Sequence, residues 1–571
     1  MASTITWPVY HWLPWRDDHY LKEQHDRLLL SSFHNQTNSS ISQHVDHGFM
    51  LLQSADGSLA VKYLLAELDV QIMLPYFATL ILLELFCHFV LWNRTLYRFN
   101  DTFSSLACGI TQQITGKLFT NYYFHVLPYT FVYHCIYGGG KSALQEGVDQ
   151  LGLTSWYWWF VLIFKDHQYY WAHRYLHEWN IGWAAHNVHH SSEEYNLTSA
   201  LRQGFIQEII GFPFSLPLAF CGVHPYLFSL HSNLNTLAQF WFHTRAIRKF
   251  PSFIEFFLNT PSHHRVHHGR NEYCLDKNYG GIFIVFDRLY GTFEAEQEME
   301  TPDPIRGDYS NVVYGLTSPL TTFNPIHTQT HHLVYMWQTM KEISSSSSCE
   351  VFKGKPFWFI WWNRLQVVFR GPGWNPFTQS MYECPPVLEP PSRNEMYDPS
   401  IGVWKTVMAT LHFLVLFVLS VFHLETNFSH SSLLTNNSSG FFGENEHHVL
   451  HFAQFALLYL SFSSLALIYE GMDWKFTRRC EILRCSIMLI LLRFVVSAKS
   501  SASSTTTFSI NCFISKIMPG ASIFASPLDI MGVNFTLAHV MMMFYFLSLS
   551  YWWWMGRVVT LTNSNEKSKS D

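Results

Sequence analysis

The sequence predicts an all-α, polytopic integral membrane protein whose helical core holds two metals through histidine boxes. Three observations carry that prediction. Of 571 residues, 48% are hydrophobic and 17% aromatic, while only 14% are charged; a soluble domain carries about 25% charged residues. Several apolar runs approach the roughly 20 residues that cross a bilayer. Histidine is concentrated between 166 and 281, as His173-x-x-x-His177, His186-x-x-His189-His190, a lone His243, and His264-x-x-His267-His268.

Taken in order, residues 1–70 are polar and rich in His, Ser and Asn, and are expected to form a loosely ordered extension with at most one short helix. Residues 72–92 form the first candidate span. Glu84 and His88 lie inside it and must face protein rather than lipid. Arg94 and Arg98 follow, so the positive-inside rule puts this end in the cytosol. A second span is expected over 118–137, ended by Gly138-Gly139-Gly140, and the aromatic run 156–164 leads into the first box. The apolar block 205–242, broken by Pro213, Pro217 and Pro225, fits two crossings or a hairpin. An even number is required if His190 and His264 are to meet on one side. Residues 71–295 are therefore the membrane core.

Residues 296–400 are polar and Pro-rich, include the run Ser344–Ser348, and read as a cytosolic segment. Residues 401–560 form a separate C-terminal transmembrane bundle with candidate spans 403–424, 449–468, 482–496 and 533–555. The basic cluster Lys475, Arg478, Arg479 and Arg484 marks a cytosolic loop, and the Ser/Thr-rich stretch 498–526 reads as an insertion. In the tail 561–571, Lys567 and Lys569 stand fifth and third from the end, the pattern of a cytosolic dilysine signal for the endoplasmic reticulum.

Composition also excludes. A net charge of −6 gives no sign of nucleic-acid binding, and ten cysteines without a Cys-x-x-Cys remove the spacing of iron–sulfur, zinc-ribbon and thioredoxin-type sites. Cys87, Cys135 and Cys221 sit in apolar runs, which argues against a disulfide framework. The first 30 residues contain no apolar signal-peptide core. Gly-x-Ser-x-Gly and His-Glu-x-x-His are both absent.

On a helix, residues three and four apart share a face, so each box aims its imidazoles at one point. Neutral imidazole suits iron, zinc, copper and nickel. With 32 histidines in 571 residues, a given His-x-x-His-His arises by chance at roughly one position in 6,000 by template counting. Two in one chain are therefore not accidental. A His-x-x-x-His is expected by chance, and His327-x-x-x-His331 is taken as such. His231 and His263 are assigned structural roles, whereas His243, on the return from the apolar block, joins the candidate ligands. A histidine-rich metal transporter is the reading from another class, but it calls for ionisable residues through several spans, while these boxes lie at span ends.

At these residues the chain resembles the fatty acid hydroxylase superfamily of membrane di-iron enzymes. The resemblance extends through His186–Asn196, 198–203, 239–244, 259–271, 276–281, 291–295, 313–317 and 369–374, and points to the branch that cleaves glyceryl ethers. The long N-terminus, Ser344–Ser348 and the insertion near 500 depart from it. The resemblance implies two irons per chain held by His173, His177, His186, His189, His190, His243, His264, His267 and His268, with tetrahydrobiopterin as reductant. It implies alkylglycerol ether lipids and O2 as substrates, and an endoplasmic-reticulum membrane location with the metals facing the cytosol. A sterol or fatty-acid hydroxylase or desaturase with the same boxes is the alternative.

The free N–H of each ligating imidazole needs an acceptor. Asp166, two turns before His173, Glu178 beside His177, and Asn196 and Glu193 after the second box are the candidate catalytic or orienting groups, Glu178 foremost. Arg202, Tyr195, Lys277 and Tyr279 are candidates for shaping the headgroup or cofactor region.

Overall fold

The structure is a computed structural model describing residues 43–46, 49–53, 59–63, 70–91, 97–116, 127–137, 156–302, 309–345, 351–381, 396–430, 443–501, 529–530, 533–534 and 543–553. The Ser/Thr-rich stretch beyond 501 and the dilysine tail lie outside the described residues. The chain is mostly helical. The extension differs from expectation: Gln43–Asp46 (β1), Phe49–Gln53 (β2) and Leu59–Tyr63 (β3) pair as an antiparallel meander. The unbroken apolar run of β2 hides the alternation that marks a strand, although Asp56-Gly57 between β2 and β3 is a hairpin signal. The small pairs Trp374–Asn375 (β4) with Ser380–Met381 (β5), and Asp529–Ile530 (β6) with Val533–Asn534 (β7), further qualify an all-α description.

Val70–Phe86 (α1) continues into a π turn at Cys87–Leu91. Within it, Met73–Val90 is the one described helix long and apolar enough to cross a membrane. Phe99–Thr115 (α2) and Leu127–Tyr137 (α3) follow. Trp156–Glu178 (α4) carries the first box in its last turns. The chain leaves the helix at Trp179 (φ −110°, ψ 137°) and re-enters as Asn180–His190 (α5), which carries the second box. Two glycines let α5 pack closely on both sides. A Cβ at Gly182 would lie 2.6 Å from the Tyr175 carbonyl oxygen of α4, and one at Gly204 would collide with the Ala185 carbonyl oxygen.

The proline-broken block forms two short helices, Gln207–Gly211 (α6) and Leu216–Phe220 (α7), and then Pro225–Phe242 (α8), which packs back along α4. That return delivers His243 to the boxes. After Ser252–Phe257 (α9), Thr260 is extended and Pro261 opens Pro261–His267 (α10) at the position where a missing N–H costs nothing. Val285–Tyr290 (α11) ends at Gly291, whose φ of 76° closes the helix. Under α10 lie buried Tyr195, Val266, Cys274, Val312 and Tyr314; burying a side chain such as Val contributes about 1.5–3 kcal/mol.

The 296–400 stretch contains Pro325–Ser345 (α12) and Phe357–Phe369 (α13), which pack on α5 through Ala184, Met336, Phe352 and Val367. Val403–His430 (α14), Gly443–Tyr469 (α15), Trp474–Ser501 (α16) and a helix at 543–553 form the C-terminal part. Its core also takes in Phe103, Ala107 and Ile114 of α2, beside Ala409, Phe413 and Phe462. One helix thus serves both halves.

Gly204→Ala should lower the thermal unfolding midpoint by several degrees, because overpacking costs about 1–3 kcal/mol. It should also reduce metal content, since the displaced helix carries the second box. Unchanged melting and unchanged metal content would contradict the packing described.

Candidate metal centre

All nine predicted histidines are buried, and they form two groups. His173, His177, His186, His190 and His267 make one; His189, His243, His264 and His268 make the other, with ligand nitrogens in each group within 4.8 Å of one another. The partition follows from helix geometry. On α5, His186 and His190 lie four apart and face the first group, while His189 faces the second. On α10 and its C-cap, His264 and His268 face the second group and His267 the first. Each of these helices therefore lies between the groups, and the rings of His190 and His268 stack across the divide at 4.3 Å.

The orientation of the rings comes from the main chain. His173 Nδ1 lies 3.0 Å from the Tyr279 carbonyl oxygen, His243 Nδ1 2.7 Å from that of Gln239, and His267 Nδ1 2.9 Å from that of Lys277. His189 Nδ1 lies 3.0 Å from the Arg202 carbonyl oxygen, with the Gln203 amide also beside it. His186 Nδ1 lies 2.8 Å from Gln207 Oε1. A carbonyl oxygen only accepts, so these Nδ1 atoms carry the proton and a neutral ring has its lone pair on Nε2. The Nε2 atoms then face one another: His173 to His186 at 3.0 Å, and His243 to His189, His268 and His264 at 3.1, 3.0 and 3.2 Å.

Lone pairs opposed at 3 Å repel unless a cation lies between them. Two nitrogens bound at right angles to one ion, each at about 2.1 Å, are themselves about 3 Å apart. The buried Nε2 atoms of His177, His190 and His267 have no hydrogen-bond partner, which is costly unless a metal takes their lone pairs. Burial also drives the imidazoles toward the neutral, ligating form: His186 and His243 are lowered to about 4, and His267 to about 3. The donor set fits transition-metal ions.

Not every expected residue belongs to this arrangement. Glu178, partly exposed, holds Arg174 at 2.7 Å. Asp166 accepts from Asn235 and from the backbone N–H of Ile282 and Phe283, bracing the loop whose Tyr279 carbonyl orients His173. Asn196 Oδ1 accepts from the N–H and hydroxyl of Thr198. Arg202, Lys277 and Tyr279 reach the histidines through their carbonyls, and Tyr195 stacks on His243 at 5.5 Å. Asp276 and Asn278, at φ 56° and 57°, turn the loop that presents the Lys277 and Tyr279 carbonyls. His231, His263, His327 and His331 fall in neither group. A third cluster, His412, Glu481 and Cys485, already contains a cation: Arg484 bonds Glu481 at 2.6 Å and lies 2.8 Å from His412.

Several supporting residues had no sequence signal. Gln207 stands 21 positions from His186 on another helix. Arg265, inside the third box, pairs twice with Glu296 at 2.7 Å and donates to the Thr244, Ile247 and Arg248 carbonyls, clamping the turn after His243. Although burial pushes the Glu296 carboxyl up, the Arg265 guanidinium holds it below its usual value. Glu84, whose inward turn the sequence did demand, accepts from Leu197 N–H, Thr244 and Tyr97. Arg98 pairs with Glu194 and Glu193, and Arg202 with Asp101.

Residues 158–292, which contain all nine histidines, match the fatty acid hydroxylase family model. Alkylglycerol monooxygenase of Xenopus tropicalis is 36% identical over 61% of this chain and 69% of its own length. That of Danio rerio is 32% identical over 74% of this chain and 81% of its own. The chain belongs to the alkylglycerol monooxygenase family. It is an oxidoreductase enzyme by that membership. Human lathosterol oxidase, 30% identical, matches only 25% of the chain and 47% of its own length. No solved structure matches the chain.

Stripping metal with a chelator should lower the unfolding midpoint, and ferrous ion should restore it, because a ligand bound only by the native state stabilises it; an unchanged midpoint would contradict a metal-held centre. Glu296→Gln, which leaves the buried Arg265 charge uncompensated, should cost about 3–5 kcal/mol in denaturant unfolding. A loss below 1 kcal/mol would show that the clamp is not needed.

Proposed function

We propose that the chain is a tetrahydrobiopterin-dependent di-iron monooxygenase. It hydroxylates the carbon beside the ether oxygen of an alkylglycerol, and the hemiacetal collapses to a fatty aldehyde and glycerol. The observation that carries the metal reading is the opposition of Nε2 lone pairs, His173 to His186 and His243 to His189, with their Nδ1 atoms turned to acceptors. His173, His177, His186, His190 and His267 would hold one iron, and His189, His243, His264 and His268 the other. Both sets are smaller than the six ligands of an octahedral ion, leaving exchangeable positions. The chemistry that iron supplies at such a centre is reduction of O2 and transfer of one oxygen atom to a C–H bond, with the pterin as electron donor.

The residues of the chain do the rest. Main-chain carbonyls and Gln207 hold five of the imidazoles in one tautomer, burial keeps the rings neutral, and the enclosing side chains exclude bulk water. The family supports the ether-lipid substrate, because the relatives matched over most of their length are alkylglycerol monooxygenases. A bilayer location, with residues 71–295 as its core and 401–560 as a further bundle, is supported by the Met73–Val90 window. Only 17% of it is buried, unlike the core helix of a soluble protein. A centre toward the cytosol fits the basic Arg94 and Arg98 flank of that window, and an endoplasmic-reticulum membrane is what the resemblance implies.

Protein purified without oxygen should contain two irons per chain, and His189→Ala should lose iron and at least about 100-fold in activity, as loss of a metal ligand costs no less than that of an outer partner. Aldehyde should form from 1-O-alkylglycerol only with both O2 and tetrahydrobiopterin present. A strict requirement for a cytochrome b5-type donor, with no aldehyde, would overturn the ether-lipid reading.

A further inference from the structure

Outside the metal centre, α13 presents an aromatic face that no described residue covers. Trp358, Trp361, Trp362 and Phe369 fall on one helical stripe and are 67%, 50%, 54% and 50% exposed; Phe357 is 79% exposed. The opposite face is buried through Asn363 and Val367. From 353 to 370 the chain carries Lys353, Lys355, Arg364 and Arg370 and no acidic residue. Both lysines are exposed, just before the helix. Thirteen residues span about 20 Å, too short for the roughly 30 Å of bilayer hydrocarbon.

We propose that α13 is a monotopic interfacial helix, lying in the plane of a bilayer with its Trp/Phe stripe at the headgroup–acyl boundary and its flanking lysines on anionic lipid headgroups. A short helix with a Trp/Phe face and only basic charge is the chemistry that partitions there, burying its apolar side by about 5–10 Å. The indole rings prefer that level, and basic residues near an anionic surface are attracted to it. A soluble partner protein would not require the absence of acidic residues across the whole stretch.

The placement bears on the metal centre. Asn180, the first residue of α5, donates its backbone N–H to the Arg370 carbonyl at 2.8 Å and its side-chain amide to the Val367 carbonyl at 2.7 Å. His332 of α12 holds the Asn180 side-chain oxygen at 2.6 Å. Trp179, itself exposed, meets Phe369 edge-on at 5.6 Å. The interfacial helix is thus fastened to the start of the helix that supplies His186, His189 and His190. It fixes the depth of the second box relative to the lipid surface, where the glycerol end of a lipid substrate lies. The proposal rests on the reading of the chain as membrane-embedded.

The test uses the full chain in phosphatidylcholine vesicles, with and without phosphatidylserine, and lipids brominated near the headgroup or near the chain terminus. Flotation with the vesicles reports separately whether the chain is membrane-embedded. The emission of Trp358, Trp361 and Trp362 is isolated as wild type minus Trp358→Phe/Trp361→Phe/Trp362→Phe, a substitution mild enough to keep the fold. Shallow bromine should quench that difference at least about twice as strongly as deep bromine. Phosphatidylserine should strengthen the quenching, and Lys353→Glu/Lys355→Glu should abolish the gain. A difference quenched by aqueous acrylamide and by neither bromolipid overturns the proposal. So does one protected from all quenchers, as under a second copy or another part of the chain, or one quenched best by deep bromine. An unchanged phosphatidylserine gain in the lysine variant overturns the assignment to anionic lipid.

Discussion

Opposed imidazole lone pairs, 3.0 Å apart between His173 and His186, set the constraint on which the structure depends. Such an arrangement is unfavourable in a neutral, buried setting and becomes favourable around a cation. It exists because in His173, His186, His189, His243 and His267 the other ring nitrogen is committed to an acceptor. Four of the acceptors are backbone carbonyls, at Arg202, Gln239, Lys277 and Tyr279. The loops that present those carbonyls must therefore be as fixed as the helices that present the rings.

A layer of buried polar contacts does that fixing. Glu84, in the apolar α1, takes the Leu197 N–H and the hydroxyl of Thr244, next to His243. Arg98, at the N-cap of α2, and Asp101, in its first turn, hold Glu193, Glu194 and Arg202. Arg265 and Glu296 clamp the turn that follows His243. Buried ion pairs add little net stability and are costly when half removed, so their role here is positional. The same network reaches the C-terminal part, since Arg98 also donates to the Tyr397 carbonyl and Glu193 accepts from the Tyr397 N–H. With α2 shared between the two cores, the C-terminal helices brace the loops around the histidine groups.

Charge inside and apolar surface outside belong to one design problem. Under the proposed bilayer location, ionisable groups must turn inward and satisfy one another, as Glu84 does, while Leu82, Leu83 and Phe86 on the same helix face outward. The outward side of α13 is aromatic instead, in a helix too short to span.

The histidine boxes were legible because their geometry is local: spacings of three and four on a helix put rings on one face whatever the rest of the chain does. Apolar runs, the inward demand on Glu84 and the need for a return from 205–242 to the boxes followed from equally local physics. The partition of nine histidines into five and four was not legible. It arises because α5 and α10 each pass between the two groups, which is a matter of how helices cross. Glu178 lies beside His177 in sequence, but a neighbour in sequence points about 100° away round the helix, here to the surface and Arg174. Asp166 does share a face with His173, but that face meets the 281–283 loop two turns earlier. The orienting carbonyls could not be read at all, since every residue has one; only the tertiary fold decides which of them point at an imidazole.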